Sequence, residues 1–568
     1  MADTNQSRRL FLGCFVALIA TAFGFFIRAS VIGDWEVEFK LTEEQKGTLG
    51  GVGLYPFAIS IILLSLVIDR IGYGTTMALA FVGHLVSALL TIFAPYVTTF
   101  TDASPFQILY LATFIYAFSN GAVEAVINPV VATIYKENKT HWLNILHAGW
   151  PGGLVLGGLL SILALSIGQQ YGEQLPGKLW QWQMGVLLLP ILAYGILLVG
   201  QRFPRQERVE AGVSYRTMLE EFGWGGAYIV SLLIIMGISQ MLTVFKYDPI
   251  SPNMALLYAL IPAAAFDSAV RSFGRPMFVF LMLVMFLLAT TELGTDLWIQ
   301  DIMTKVLSGE TDAETLTDAE KVAEKNAAAI KGAMFLIYTS AIMFVLRFFA
   351  GPIVHRISPL GLLAACSAIA AVGLYWLGNA QVPIGATLSS APGAFAALFA
   401  AATLYGIGKT FFWPTTLGVV SEQYPKGGAL LMNAIAGVGM ISIGTIGGPA
   451  IGTLQDTNFN TAVKEEMPEV HPQIITQTPG LFFDYEAIDK AKVAELPKAA
   501  RKEIDAIQRH TKQHALAEIA WLPSIMCGCY LILISYFRAR GGYRAEVLTG
   551  HAANDEKYTG GVPGPVEG

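Results

Sequence analysis

Apolar residues along this chain run in blocks of about twenty separated by short polar joints, and about twenty residues cross roughly 30 Å of hydrocarbon as a helix. The blocks predict helices at Leu10–Ile32, Gly47–Ile68, Thr75–Ala94, Phe106–Tyr135, Leu143–Gly168 and Gln183–Val199. A basic segment with Arg202, Arg205, Arg208 and Arg216 follows, then two further apolar stretches, Gly225–Val244 and Asn253–Ala269, joined by KYDPISPN. Six more helices are expected at Pro276–Met303, Ile330–Ala350, Leu360–Leu377, Ala394–Val420, Ala429–Ile451 and Leu516–Phe537. The predicted fold is therefore an all-α membrane protein with two six-helix bundles, 1–200 and 276–540, around a linker at 201–275 that carries an extra hairpin. If both extra stretches cross, the count is fourteen; if the hairpin lies on one face, it is twelve. Crossing is favoured because Ala227–Met236 is as apolar as its neighbours.

The joints between blocks carry further information. Arg70, Lys136 with Lys139, the Arg202–Arg216 group, Arg271 with Arg275, Arg356, Lys426 and the run from Arg538 alternate with acidic or neutral joints such as 34–44 and 95–104. Positive residues are retained on the cytoplasmic side, so both termini are expected inside, in the plasma (inner) membrane. Two long joints, 304–329 and 455–515, fall outside and are expected to form amphipathic helices or flexible caps. The tail at 541–568, with Gly and Pro near its end, reads as disordered.

Composition agrees with the pattern. Of 568 residues 54% are hydrophobic and 14% charged, against the roughly 25% charged expected of a soluble domain. A net charge of −6 with no basic patch leaves no reason to expect nucleic acid. The four cysteines sit in apolar stretches and imply neither a disulfide framework nor a metal site. No HExxH, nucleophile elbow or Walker loop is present, so neither an enzyme nor a cofactor is expected. A monomer is.

The charges inside the apolar blocks are the candidate chemistry. SNGAVEAVINP at 119–129 places Glu124 in mid-helix, where a charge costs about 2.5–3.5 kcal/mol on insertion scales and usually faces an aqueous cavity or an opposite charge. GIGKTFFWPT at 406–415 places Lys409 before Pro414 at the interval that separates Glu124 from Pro129. The two halves thus repeat a pattern with the sign reversed, as in secondary transporters built from repeats with a site at mid-depth. The first helices add Arg28 in one half and Glu292 with Asp296 in the other, Asp296 being expected near solvent. The fifth helices are glycine-rich, and Gly153, Gly157, Gly448 and Gly452 are expected to let helices approach closely, while Pro129 and Pro414 bend theirs. An arrangement of Arg28 with Glu124 as a fixed structural ion pair is the plainer alternative. Aromatic and amide groups suited to a sugar are Trp298, Trp413, Tyr405, Trp150, Asn128, Asn144 and Asn433, with His147 beside them.

SLVIDRIGYG at 65–74 and RFFAGPIVHRISP from Arg347 resemble the DR-x-G motif of the major facilitator superfamily, with Ser65 and Tyr73 as departures. The resemblance implies that Asp69, Arg70, Arg347 and Arg356 hold a cytoplasmic gate. Within that superfamily, GAVEAVINPVV, LNILHAGWPGG and Trp413-Pro414-Thr415 are similar to the fucose and glucose/galactose proton symporter branch. By that likeness Glu124 carries the proton, and Asn128, Asn144 and His147 lie near the sugar. The branch has an aspartate in its first helix where this chain has Ala29, next to Arg28. The function so implied is proton-coupled transport of a small polar solute, a sugar first, by alternating access. The alternatives are a peptide, nucleoside, organic anion or drug carrier, or a non-transporting sensor of the same fold.

Overall fold

A computed structural model describes residues 4–41, 43–171, 177–244, 247–307, 318–354, 356–383, 385–478, 484–546, 548 and 561–563. Among them fourteen helices are long and apolar enough to cross a membrane. They are α1 (Gln6–Phe39), α2 (Thr48–Ile71), α3 (Tyr73–Ile92), α4 (Pro105–Ile134), α5 (Lys139–Gly168), α6 (Leu179–Leu198), α7 (Tyr215–Leu242), α8 (Pro252–Val270), α9 (Pro276–Leu307), α10 (Ile330–Arg347), α11 (Pro359–Asn379), α12 (Pro392–Gln423), α13 (Pro425–Glu466) and α14 (Lys498–Arg538). Both hairpin stretches are among them, so the fourteen-helix count is met by length and composition.

Local chemistry sets where the helices begin. Three open on Ser-Pro: the hydroxyls of Ser104, Ser251 and Ser358 accept from the backbone N–H three residues on, and the proline that follows has no N–H to leave unpaired. At Ser104 the cap is reciprocal, because Gln107 accepts in turn from the Ser104 N–H at 2.8 Å.

In the N-terminal half α3 packs on α4, α1 on α5 and α2 on α4; in the other, α11 packs on α12 and α14, and α9 on α10. The halves meet where α2 lies against α13, α5 against α10, and the start of α5 against the end of α12. Glycines allow the closest approaches: a Cβ on Gly153 of α5 would stand 2.5 Å from the Ile19 carbonyl oxygen of α1.

Gln6 bonds the Arg202 carbonyl, and Leu548 N–H bonds Glu207. Both chain ends therefore gather at the end of the bundle that carries the linker, here the linker end; the opposite end is the far end. There α13 runs on to Glu466, and β1 (Ile475–Thr478) pairs antiparallel with β2 (Tyr485–Ile488). Phe459, Val463, Met467, Ile474, Ile504 and Ile507 form a small apolar core between this hairpin and α14. The joint expected at 455–515 is thus a packed cap on the C-terminal half, and α14 begins eighteen residues before the apolar block that announced it, because its first turns are amphipathic. The joint expected at 304–329 lies partly outside the described residues.

The tail departs from expectation at its start. Tyr543 is buried and its hydroxyl donates to Glu422 at 2.8 Å, while β3 (Arg544–Glu546) pairs with β4 (Gly561–Pro563). The Arg544 carbonyl also accepts from Gln423 Nε2 at 2.7 Å, and Leu548 is buried beside Ala211 and Val213. Residues 549–560 and 564–568 lie outside the described residues.

Candidate functional site

Proline position organises the centre of the bundle. A proline has no N–H, so the carbonyl four residues before it loses its helical donor, and in hydrocarbon such a group must find another. Pro129 frees Ala125, whose oxygen accepts from Asn433 Nδ2 of α13 at 3.0 Å. Pro151 frees His147, and Pro414 frees Thr410. Both of those carbonyls accept from a single side chain, Arg347 of α10: Nη1 to His147 and Nε to Thr410 at 2.7 Å. Three kinks, two of them in the N-terminal half, are thereby tied to side chains of the C-terminal half.

The third donor of Arg347, Nη2, reaches Glu292 Oε1 at 2.9 Å, and both side chains are 2% exposed or less. Glu292 stands in a π-helical turn of α9 spanning Thr290–Gly294; such turns recur at functional sites. Its second oxygen accepts from Trp413 N–H at 3.3 Å. From the other half, Asn128 Nδ2 donates to Glu124 Oε2 at 2.6 Å and Asn128 Oδ1 lies 2.9 Å from His147 Nε2. With its amide nitrogen committed to Glu124, Asn128 offers His147 an acceptor, which assigns the imidazole proton to Nε2. Glu124 and Glu292 are therefore linked through Asn128, His147 and Arg347.

These groups surround a small central cavity of about 20 Å³, lined by Glu124, His147 and Trp150 from one half and by Glu292, Leu293, Arg347, Trp413 and Met440 from the other. A second cavity, lined in part by Phe25, Leu54, Asp296, Leu297 and Ile443, shares Trp150, Leu293 and Met440 with it. Trp150 Nε1 is buried without a hydrogen-bond acceptor among the described residues.

Several expected residues sit elsewhere. Arg28 is held inside the N-terminal half, donating to Ser87 Oγ at 2.7 Å and Thr91 Oγ1 at 3.2 Å, with its guanidinium 4.6 Å from the Tyr116 ring centroid. Hydroxyls and an aromatic face solvate it there, and it neither pairs with Glu124 nor lines the cavity. Lys409 is fully buried and pairs with Asp296, whose side chain is only 9% exposed; the expected solvent position for Asp296 is corrected, because burying Lys409 requires an anion beside it. Asn144 bridges α5 to α12 through Thr415 Oγ1 at 3.2 Å and is not among the lining residues. Trp298 donates to the Gly448 carbonyl at 3.2 Å, toward the far end.

The linker end closes differently from the motif-based expectation. Asp69 pairs with Arg208 of the linker, whereas Arg70 and Arg356 are exposed and Arg347 is in the central cluster. The chain direction explains the last difference: α10 bends after Arg347 and resumes as Ala350–Val354, so the motif's arginine is placed deeper than its distance from the loop suggests. Around Asp69, Lys139 pairs with Glu207 at 2.7 Å, and Glu422 accepts from Thr140 N–H at 3.1 Å. None of Glu422, Glu207 or Arg208 was singled out from sequence as a gate residue; the available signal was a carboxylate ending an apolar block and an arginine beside a short acidic run.

A sequence model of the family described as Major Facilitator Superfamily matches residues 14–385. No curated protein sequence matches. Among solved structures, the chain is similar to the proton:xylose symporter XylE, with a TM-score of 0.55 and 11% identity over 94% of this chain and 96% of that one. It is similar to the E. coli fucose:proton symporter FucP, at 0.50 and 13% over 91% and 98%. A structure of proton dependent oligopeptide transporters matches at 0.54 and 13% over 94% and 99%. At these identities the likeness is one of fold.

Proposed function

The chain belongs to the major facilitator superfamily, and from that premise we propose that it moves a small, uncharged polar solute, a sugar in the first instance, across the plasma (inner) membrane by proton-coupled alternating access. One observation carries the reading: a central cavity whose wall is shared between the halves and combines two carboxylates, a histidine and two tryptophans. Sugars are held by aromatic faces and by fixed hydrogen-bonding groups in an otherwise apolar pocket. Trp150 Nε1 offers an unused donor there.

The charge inventory favours a neutral solute over an organic anion. Lys409 is matched by Asp296 and Arg347 by Glu292, so neither cation is free to attract one. Glu124 has only a neutral amide, Asn128, as its described hydrogen-bond donor. A buried carboxylate without a counter-cation is the group whose protonation relieves the largest penalty, and Glu124 is assigned the coupled proton, with Asn128 holding its carboxylate in place beside His147. The linker end, which carries Arg70, Lys136, Arg202, Arg205, Arg216 and Arg356, is assigned to the cytoplasm.

The test is uptake of a monosaccharide panel into proteoliposomes with and without an inward proton gradient, for the wild type and Glu124→Gln. A sugar accumulated only with the gradient, and only by the wild type, supports the reading. Equal accumulation with and without a gradient removes proton coupling, and gradient-driven accumulation by Glu124→Gln removes the assigned carrier.

A further inference from the structure

The inserted hairpin of α7 and α8 has no part in the cavity, yet one of its side chains reaches the seam between the halves. α13 carries a π-helical turn at Ile443–Gly447 followed by Pro449. Pro449 has no N–H to give either to Thr445, four residues back, or to Gly444, five back. Gln240 of α7 donates to the Thr445 carbonyl at 3.0 Å, and Tyr55 of α2 donates to the Gly444 carbonyl at 3.3 Å. That single hydroxyl proton is shared with the Gln240 side-chain oxygen. A single amide thus accepts from the N-terminal half and donates to the C-terminal half.

The rest of the hairpin holds that amide in place. At its base the entering and leaving chains cross: Trp224 N–H bonds the Ser272 carbonyl at 2.8 Å, Arg275 pairs with Glu221, and a Cβ on Gly223 would stand 2.0 Å from Gly274 N. The base packs on the C-terminal half through Phe222 and Phe278. At the tip, Ser239 Oγ bonds both N–H and carbonyl of Ile250, pinning the turn beside Gln240.

We infer that Gln240 is a positioning residue for alternating access: the hairpin travels with the C-terminal half, and through Gln240 it latches Tyr55 so that the far end stays closed. The inference rests on the transport reading only in supposing that the halves rock.

The experiment reads far-end distance without any solute. Nitroxides are placed at Asp102 and Ser389, in exposed far-end loops of the two halves, with the four native cysteines replaced, and double electron–electron resonance distances are compared for wild type, Gln240→Leu, Tyr55→Phe and the double variant. Each single variant is expected to raise the longer-distance, far-end-open population by about fivefold, the weight of one hydrogen bond in a two-state equilibrium. The double variant is expected to fall short of the product of the two. Unchanged distances in the single variants, or a double variant equal to that product, overturn the inference. Should Gln240→Leu fail to fold, Gln240→Met, which keeps the length of the side chain without its amide, takes its place in the comparison. Failure to find a transported sugar leaves this readout untouched.

Discussion

Asn433 Nδ2 stands 3.0 Å from the carbonyl oxygen of Ala125, the acceptor that Pro129 deprives of its helical donor. The two residues are far apart in sequence and belong to different halves, so the kink in α4 is completed by a side chain from α13. Asn433→Leu is expected to cost about 1–3 kcal/mol, the penalty of a buried carbonyl left unpaired. Adding Pro129→Ala restores an N–H to Ala125 and should recover part of that loss. Thermal unfolding in detergent checks both, and a double variant less stable than Asn433→Leu alone contradicts the pairing.

Arg347 spends three donors on three acceptors: the carbonyls of His147 and Thr410, and Glu292. A lysine has one charged nitrogen and no fork, so Arg347→Lys should fail to hold all three. Removing one member of a buried ion pair costs about 3–5 kcal/mol; Arg347→Met should show that loss in thermal unfolding, and Arg347→Met with Glu292→Gln should lose less. If Arg347→Lys is as stable and active as the wild type, the three-way bond is not what holds the centre.

Gly153 leaves no room for a side chain, since its Cβ would come within 2.5 Å of the Ile19 carbonyl oxygen, a backbone atom that cannot swing away. Gly153→Val should force α1 and α5 apart at about 1–3 kcal/mol, as overpacking does elsewhere. Gly528, with nothing near its Cβ position, is the matched control, and Gly528→Ala should leave the melting temperature unchanged or raise it.

The ion pair between Lys512 and Asp301 on the cap measures 2.6 Å, but Asp301 is 55% exposed. Exposed pairs contribute about 0–1 kcal/mol, so Lys512→Met should shift the melting temperature little, and less at high salt. A loss as large as that of Arg347→Met would mean the cap is coupled to the bundle core.

The tail returns to the linker end, where Tyr543 donates to Glu422, and Leu548 N–H to Glu207. Those two carboxylates, one on α12 and one in the linker, are the ones that engage Thr140 and Lys139 of the N-terminal half. Truncation after Gly541 should therefore raise thiol-reagent labelling of Thr140→Cys, while Tyr543→Phe, which keeps the ring, should raise it less. Equal labelling in all three proteins would show that the tail does not hold this end shut.

The number of helices, the division into halves around an extra hairpin, and the presence of buried charge were legible in the sequence, because each depends on local composition: twenty apolar residues, or a carboxylate in an apolar block; the polar extensions of α13 and α14 past their apolar blocks were not. Which charges meet was not. Arg28 and Glu124 share a half yet do not pair, and Arg347 belongs to the centre although its motif pointed to the gate. Pairing is decided by where a bent helix leaves a carbonyl without a donor and by which distant side chain can reach it. Pro129, Pro151, Pro414 and Pro449 mark those vacancies in the sequence, whereas Asn433, Arg347 and Gln240 fill them only once the bundle has brought them near.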